Sequence, residues 1–407
     1  MTSDIEAARW LLSAGAVRAR ANALLARAER DQSAWFVYRP ERLAATVAIV
    51  EQTIHANYPT LDIPFHSRWR HFESGARDRW GALAATLDVD PIERARIRFD
   101  LAISSVLLDA GAGAHWSYQA SDARRYTRSE GLGVASFDMF AQGTFSQKPG
   151  SPLRCDAAAL CALDAAVLAL GMQAGDANPL TGLAGRADLL NRLGRALASD
   201  PAHFGTPGRI GNLVDHLRAR ANGGPLPAAR LLQTVLAALG PIWPGRHMLG
   251  GLPLGDAWPH SAFAADDAGH GMVPLHKLSQ WLTYSLIEPL EEAGMRVTDL
   301  DDLTGLAEYR NGGLMLDAGL LELRDPTRAT QTLQASDELV VEWRALTVAL
   351  LDRIAAGLRL RLKRDALSLP LARVLEGGTW SAGRRLARER RADGGPPLTI
   401  ASDGTLF

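Results

Sequence analysis

The sequence predicts a mainly α-helical fold, and three observations carry that expectation. Apolar residues recur with a helical period over most of the chain. Strand signals are few. Helix punctuation is well placed in "DVDPIERARIRFDLAISSVLLDAGAG", where Asp90 can cap, Pro91 fits the first turn, Glu93 sits near the positive end and Gly111 closes the run. A length of 407 residues suits one large domain or two moderate ones. The pattern is taken as a single large helical unit, 1–407. Within it stand an N-terminal subregion 1–90, a core 91–365 and a C-terminal extension 366–407.

The elements follow in order. Residues 5–30 read as one long helix, with Ala, Leu and Val on one side and Arg on the other. Residues 41–56 form a second. "LDIPFHSRWRHFE" breaks the pattern at Pro64 and resumes with aromatic and basic residues. After the helix that starts at Asp90 comes an irregular region, 115–153, whose length points to function and whose aromatic residues argue against disorder. Helices are expected at 156–174, 186–198, 209–221 and 228–239. A second irregular stretch covers 241–272. A helix starts at Leu275, with a kink possible at Pro289, and another runs 338–361. The basic segment "GRRLARERR" reads as a solvated helix face, and the apolar ending at Leu406 and Phe407 suggests docking on the body.

Composition excludes some classes of function. Apolar residues make up 47% and charged residues 22%, as in ordinary globular proteins, and net charge is −1. No global field draws in nucleic acid or an anionic membrane, so neither is expected as a partner. No run approaches the length of a membrane span, and acidic residues near the start argue against a signal peptide, which points to the cytoplasm. Cys155 and Cys161 match neither a disulfide scaffold nor a zinc knuckle and read as small buried residues. The bias toward Arg and Ala suits a GC-rich, bacterial-type genome. Only Lys148, Lys277 and Lys363 escape it, and a retained Lys offers a compact point charge that Arg does not.

The segment 275–320 is the richest in chemistry. It ends in "DLDDLTGLAEYRNGGLMLDAG". A helix through Leu306 and Arg310 turns Glu308 and Arg310 to opposite sides. A tight turn opening a helix near Gly312 lets Glu308, Tyr309 and Arg310 share one cleft, with Gly312 and Gly313 permitting close approach or positive φ. Spacing alone favours a structural helix end. "DAWPHSAFAADDAGHGMVPLHK" offers Asp256, His260, Asp266, Asp267, His270 and His276, yet no standard metal spacing, so no metal is expected and His260 reads as a pocket-lining residue. His66 and Arg68 could touch a substrate, though packing at a helix start suits them better.

The stretches "RFDLAISSVLLDAGAGAHWSYQ", "SFDMFAQGTFSQKPGSPLRCDAAAL", "GDAWPHSA", "MVPLHKLSQWLTYSLIEPLEEAG" and "DLDDLTGLAEYRNGGLMLDAGLL" resemble the uracil catabolism protein four family over nearly the whole chain. A more distant likeness, over roughly 45 residues, is to the queuosine salvage proteins, nucleoside 5′-phosphate hydrolases with a helix-hairpin-helix glycosylase-like fold. It places Glu308 at that motif's Asp, matches Tyr309 and Arg310 directly, and puts Lys277 on the lysine-bearing helix. Glu replaces Asp, and Asn-Gly-Gly replaces Val-Pro-Gln.

Together these resemblances imply an N-ribosyl hydrolase, needing no cofactor, that releases urea from a ribosylurea or its 5′-phosphate. Glu308 would stabilise the ribosyl cation or position water, with Asp138 a second candidate carboxylate. Lys277 and Arg310, and more weakly Arg68, would hold the phosphate. Tyr309, Trp116, Tyr118, Phe137 and His260 would surround the rest of the substrate, although the aromatic residues fit a loop-anchoring role equally well. The rivals are a metal-dependent ring-opening or amide hydrolase and a non-catalytic pathway subunit. Oligomeric state is not legible.

Overall fold

The computed structural model describes residues 3–113, 115–243 and 247–401, and the fold is mainly α. Where a single unit is expected, the chain divides into two compact units that interleave along the sequence. Of the described residues, unit 1 comprises 3–66, 247–280 and 299–401, and unit 2 comprises 67–113, 115–243 and 281–298. One border falls inside the Lys277–Glu292 helix, between Gln280 and Trp281.

Unit 1 is built round the Glu338–Leu362 helix, in which every residue from Leu339 to Leu351 is buried. A helix apolar on all sides belongs inside a core. The two charges within this run, Glu342 and Arg344, are satisfied by partners described below. Helices Ala14–Glu29 and Leu43–Asn57 pack against it. The long helix expected over 5–30 is two, Asp4–Leu11 and Ala14–Glu29, because the Ser13 hydroxyl accepts from Ala16 N and starts a new helix. Short strand pairs occur in the unit: Phe36–Tyr38 runs antiparallel to the distant Leu321–Leu323, and Ala257–Pro259 to the nearby Met272–Pro274. The last pair sits in the stretch expected to be irregular.

Unit 2 centres on the Pro91–Leu107 helix, capped by Asp90 as its sequence implies. The irregular region expected over 115–153 is partly regular: Ser117–Gln119 and Arg125–Thr127 form a hairpin, and Arg128–Ala141 is a helix. Gly131 and Gly133 hide that helix in the sequence, since glycine weakens helix propensity. Their missing side chains are filled from outside. A Cβ at Gly131 would lie 2.9 Å from the Trp116 ring, and one at Gly133 2.8 Å from His71 Cβ. The helix expected over 156–174 breaks at Asp164, which caps Ala165–Gly171. Cys155 is buried as expected, but Cys161, in the Ala157–Ala162 helix, is exposed. Among the described residues no helix is long and apolar enough to cross a membrane. The docking expected for Leu406 and Phe407 falls outside the described residues.

Candidate functional site

The polar cluster at Glu308 stands at a helix start. The helix runs Tyr309–Asp317, and Glu308 is its N-cap, in extended conformation at φ −119°. Both carboxylate oxygens are used: Oε2 accepts from Arg310 N at 2.6 Å and Oε1 from Asn311 N at 2.5 Å. Glu308 is only 8% exposed. Burial pushes its carboxyl above the ordinary range, while the two backbone N–H groups, Lys277 and His66 pull the other way and only partly offset it. Each oxygen keeps a further lone pair, so the cap leaves the carboxylate able to meet a developing cation or a water.

The residues that follow Glu308 divide between site and scaffold. Arg310 is 4% exposed, donates through Nη1 to Gly394 O at 2.9 Å and lies over the Tyr309 ring at 5.0 Å. Both glycines are inside the helix, so close approach rather than positive φ explains them. A Cβ at Gly312 would lie 2.7 Å from the Trp343 ring, whose Nε1 donates to Gly312 O at 3.1 Å. A Cβ at Gly313 would meet Pro397 at 3.2 Å.

Lys277 occupies the first position of its own helix. A cation there opposes the helix dipole, so it stays at an electrostatic cost that the nearby Glu308 carboxylate offsets. The start of this helix is held by Asp256, whose Oδ2 accepts from Lys277 N at 3.1 Å. Asp256 also takes both Arg344 guanidinium nitrogens, at 2.8 and 2.7 Å, and the Trp258 indole at 2.8 Å. Burial alone would raise the Asp256 carboxyl, but Arg344 overrides it and holds it well below the usual range. One turn after Lys277, Gln280 Oε1 accepts from Thr304 N at 2.8 Å. That bond ties the end of "DLDDLT" to the lysine helix. Asp301 completes the scaffold: Oδ1 accepts from Leu371 N at 2.8 Å and Oδ2 pairs with Arg359 at 2.5 Å.

The structure brings His66 and Glu376 to this cluster, a pairing not read from the sequence. His66 is 5% exposed, and its Nδ1 lies 2.7 Å from Glu376 Oε2. Tyr58 donates to the other oxygen at 3.4 Å. Glu376 projects from a π-helical turn, Leu375–Thr379, and such turns recur at functional sites. The "EGGT" run was the available signal. A Cβ at Gly378 would overlap Val50 Cγ1 and one at Gly377 would press on Ile63 Cδ1 at 3.0 Å, so the glycines let the wide turn seat against these side chains.

The remaining candidates separate. His260 belongs to unit 1 and has both ring nitrogens engaged, Nε2 with Glu342 at 3.2 Å and Nδ1 accepting from Ala262 N at 3.0 Å. Arg68, Trp116, Tyr118, Phe137 and Asp138 belong to unit 2. Arg68 is fully buried, with Nη1 on Asp109 at 2.6 Å and Nε on Ser105 at 2.7 Å. Trp116 is 1% exposed and donates to Met172 O at 3.0 Å, while Phe137 packs on Phe72 with ring centroids 5.4 Å apart. Tyr118 donates to Asp138 Oδ2 at 2.9 Å, and burial raises the Asp138 carboxyl. Asp267, another potential metal ligand, is held by both Arg20 guanidinium nitrogens at 2.7 Å. Among the described residues no three His, Cys, Asp or Glu side chains gather as a metal site.

Comparison with known proteins gives the family. A model described as "Protein of unknown function (DUF1688)" matches residues 10–407. The chain belongs to this family. It is 40% identical to "Protein urg3" of Schizosaccharomyces pombe over 406 residues, 98% of each chain. It is 39% identical to "Uracil catabolism protein 4" of Lachancea kluyveri over 377 residues, 85% of each chain. The matched span takes in Glu308, Lys277, His66 and Glu376, so this DUF1688 member carries its candidate cluster inside the family region.

Proposed function

We propose that this DUF1688 protein acts in uracil catabolism as an N-ribosyl hydrolase, cleaving a ribosylurea, in its 5′-phosphate form, to urea and ribose 5-phosphate. One observation carries the reading: a buried carboxylate, Glu308, is fixed at a helix start with a lysine ammonium and a histidine ring in electrostatic reach. Cleavage of a C1′–N bond builds positive charge on the ribose, and an anion already fixed and shielded from water stabilises that charge without reorganising. The upward shift of the carboxyl also suits it to take a proton from water. Lys277 and Arg310 supply positive charge for a phosphate. The name of the Lachancea kluyveri relative supports the pathway.

The test is urea release from synthetic ribosylurea and its 5′-phosphate by wild type, Glu308→Gln and Glu308→Asp. We expect release by wild type and a loss of at least about 10²-fold with Gln. Asp, itself a good N-cap, should fold normally yet react more slowly because its carboxylate sits one methylene back. No release by wild type from either substrate would sink the proposal.

A further inference from the structure

We propose that His66, oriented by Glu376, is the proton donor to the leaving nitrogen in this hydrolysis; the assignment rests on the function proposed above. Four observations place it. The His66 ring is buried with Nδ1 on Glu376, and its backbone N–H donates to Ala372 O at 3.0 Å, so main chain and side chain are both anchored. Glu376 accepts the Nδ1 hydrogen, which fixes the tautomer and directs proton exchange with a substrate through Nε2. Glu376 is delivered by a π-helical turn whose two glycines seat it against Val50 and Ile63. The ring lies within electrostatic reach of the Glu308 carboxylate.

The charged and titratable groups round the ring include Glu376, Glu308 with its neighbour Lys277, and Tyr58. Trp380 lies 6.0 Å from the imidazole centroid and carries Arg384 on its ring at 5.2 Å. Glu376 is hydrogen-bonded to the imidazole, and Glu308 acts on it through its charge alone.

Urea is a poor leaving group as an anion, so the step needs an acid. The C1′–N bond breaks with its electron pair passing to the urea nitrogen, which takes the proton from His66 Nε2. Water adds to C1′, and the proton it loses goes to Glu308. Release of that proton to solvent and uptake of one by His66 reset the pair. Glu308 and His66 are thus base and acid of one reaction, and Glu376 is a positioning residue.

The experiment compares two substrates that share the ribose 5-phosphate. One is ribosylurea 5′-phosphate, whose leaving group must be protonated. The other is 4-nitrophenyl riboside 5′-phosphate, whose nitrophenolate leaves without an acid. His66→Asn keeps an N–H for Glu376 but carries no transferable proton. It should lower kcat for the urea substrate by about 10²–10⁴-fold with KM little changed, and lower nitrophenolate release by about tenfold or less. Glu376→Gln should show the same pattern more weakly. Glu308→Gln should fall on both substrates. Equal losses on both substrates for His66→Asn, or full activity on the urea substrate, would overturn the acid assignment while leaving the hydrolase reading intact. A wild-type protein that cleaves neither would overturn both. Thermal melts of each variant exclude misfolding as the cause.

Discussion

Glu308 shows why a residue's type and neighbours did not settle its role. "GLAEYRNGG" allows either a polar helix end or a site, and the structure makes Glu308 an N-cap and a buried anion at once. The same ambiguity surrounded the acidic loop residues, and there geometry gives a structural answer. Burial would raise Asp267, but Arg20 and the Gly271 and Gly269 N–H groups bring its carboxyl down to about 2. A depressed carboxyl contributes stability that is present above its unfolded value and lost as pH falls through the folded one. The shift corresponds to about 2 kcal/mol, and solvent screening at this partly exposed side chain brings that to about 1 kcal/mol. Asp267→Asn should therefore be less stable than wild type by about that amount at pH 5–7. The gap should close between pH 4 and pH 2, as read by chemical denaturation across that range.

At the scale of elements, glycine decided what the sequence concealed. The Arg128–Ala141 helix was not legible because its two glycines count against a helix until Trp116 and His71 are known to fill the space. The π-turn Leu375–Thr379 was marked by its "EGGT" run alone, since no local periodicity marks a one-turn widening. Its role makes a prediction. Gly378→Ala would push a methyl into Val50 and displace the turn that holds Glu376. It should cost about 1–3 kcal/mol, seen as a lower Tm, and reduce urea release beyond what the stability change explains. Elsewhere the punctuation was reliable: Asp90 and Pro91 start their helix as expected, and the helix expected over 228–239 is observed as Ala228–Leu239. Those boundaries are set by local hydrogen bonding and fixed φ, which the sequence carries directly.

Over the whole molecule, chain order and spatial order part company. Unit 2 takes residues 281–298 from beyond a unit 1 segment. Within it Trp69 Nε1 donates to Ser285 O at 2.7 Å, Arg68 N to Ser285 Oγ at 2.9 Å, and Arg70 pairs with Glu288 at 2.9 Å. The strand Leu226–Pro227 pairs with Val297–Thr298. A fragment of residues 67–245 should therefore lack cooperative thermal unfolding by circular dichroism. A fragment extended with 281–298 through a flexible linker should regain it. A sharp transition in the shorter fragment would show that the returning segment is dispensable.

The sequence by itself determined the helical class, the better-signalled helices and the two segments, 275–292 and 304–313, that carry Lys277 and Glu308, because periodicity, capping and composition are local properties. It also carried the family likeness that the comparisons bear out. Only the tertiary structure decided that Glu308 is buried and accepts two backbone N–H groups, that Asp256 and Asp267 serve arginines, and that Glu376 reaches His66 across 310 residues of chain. Burial, ion pairing and the closing of such a loop depend on contacts between residues remote in sequence, and no local pattern records them.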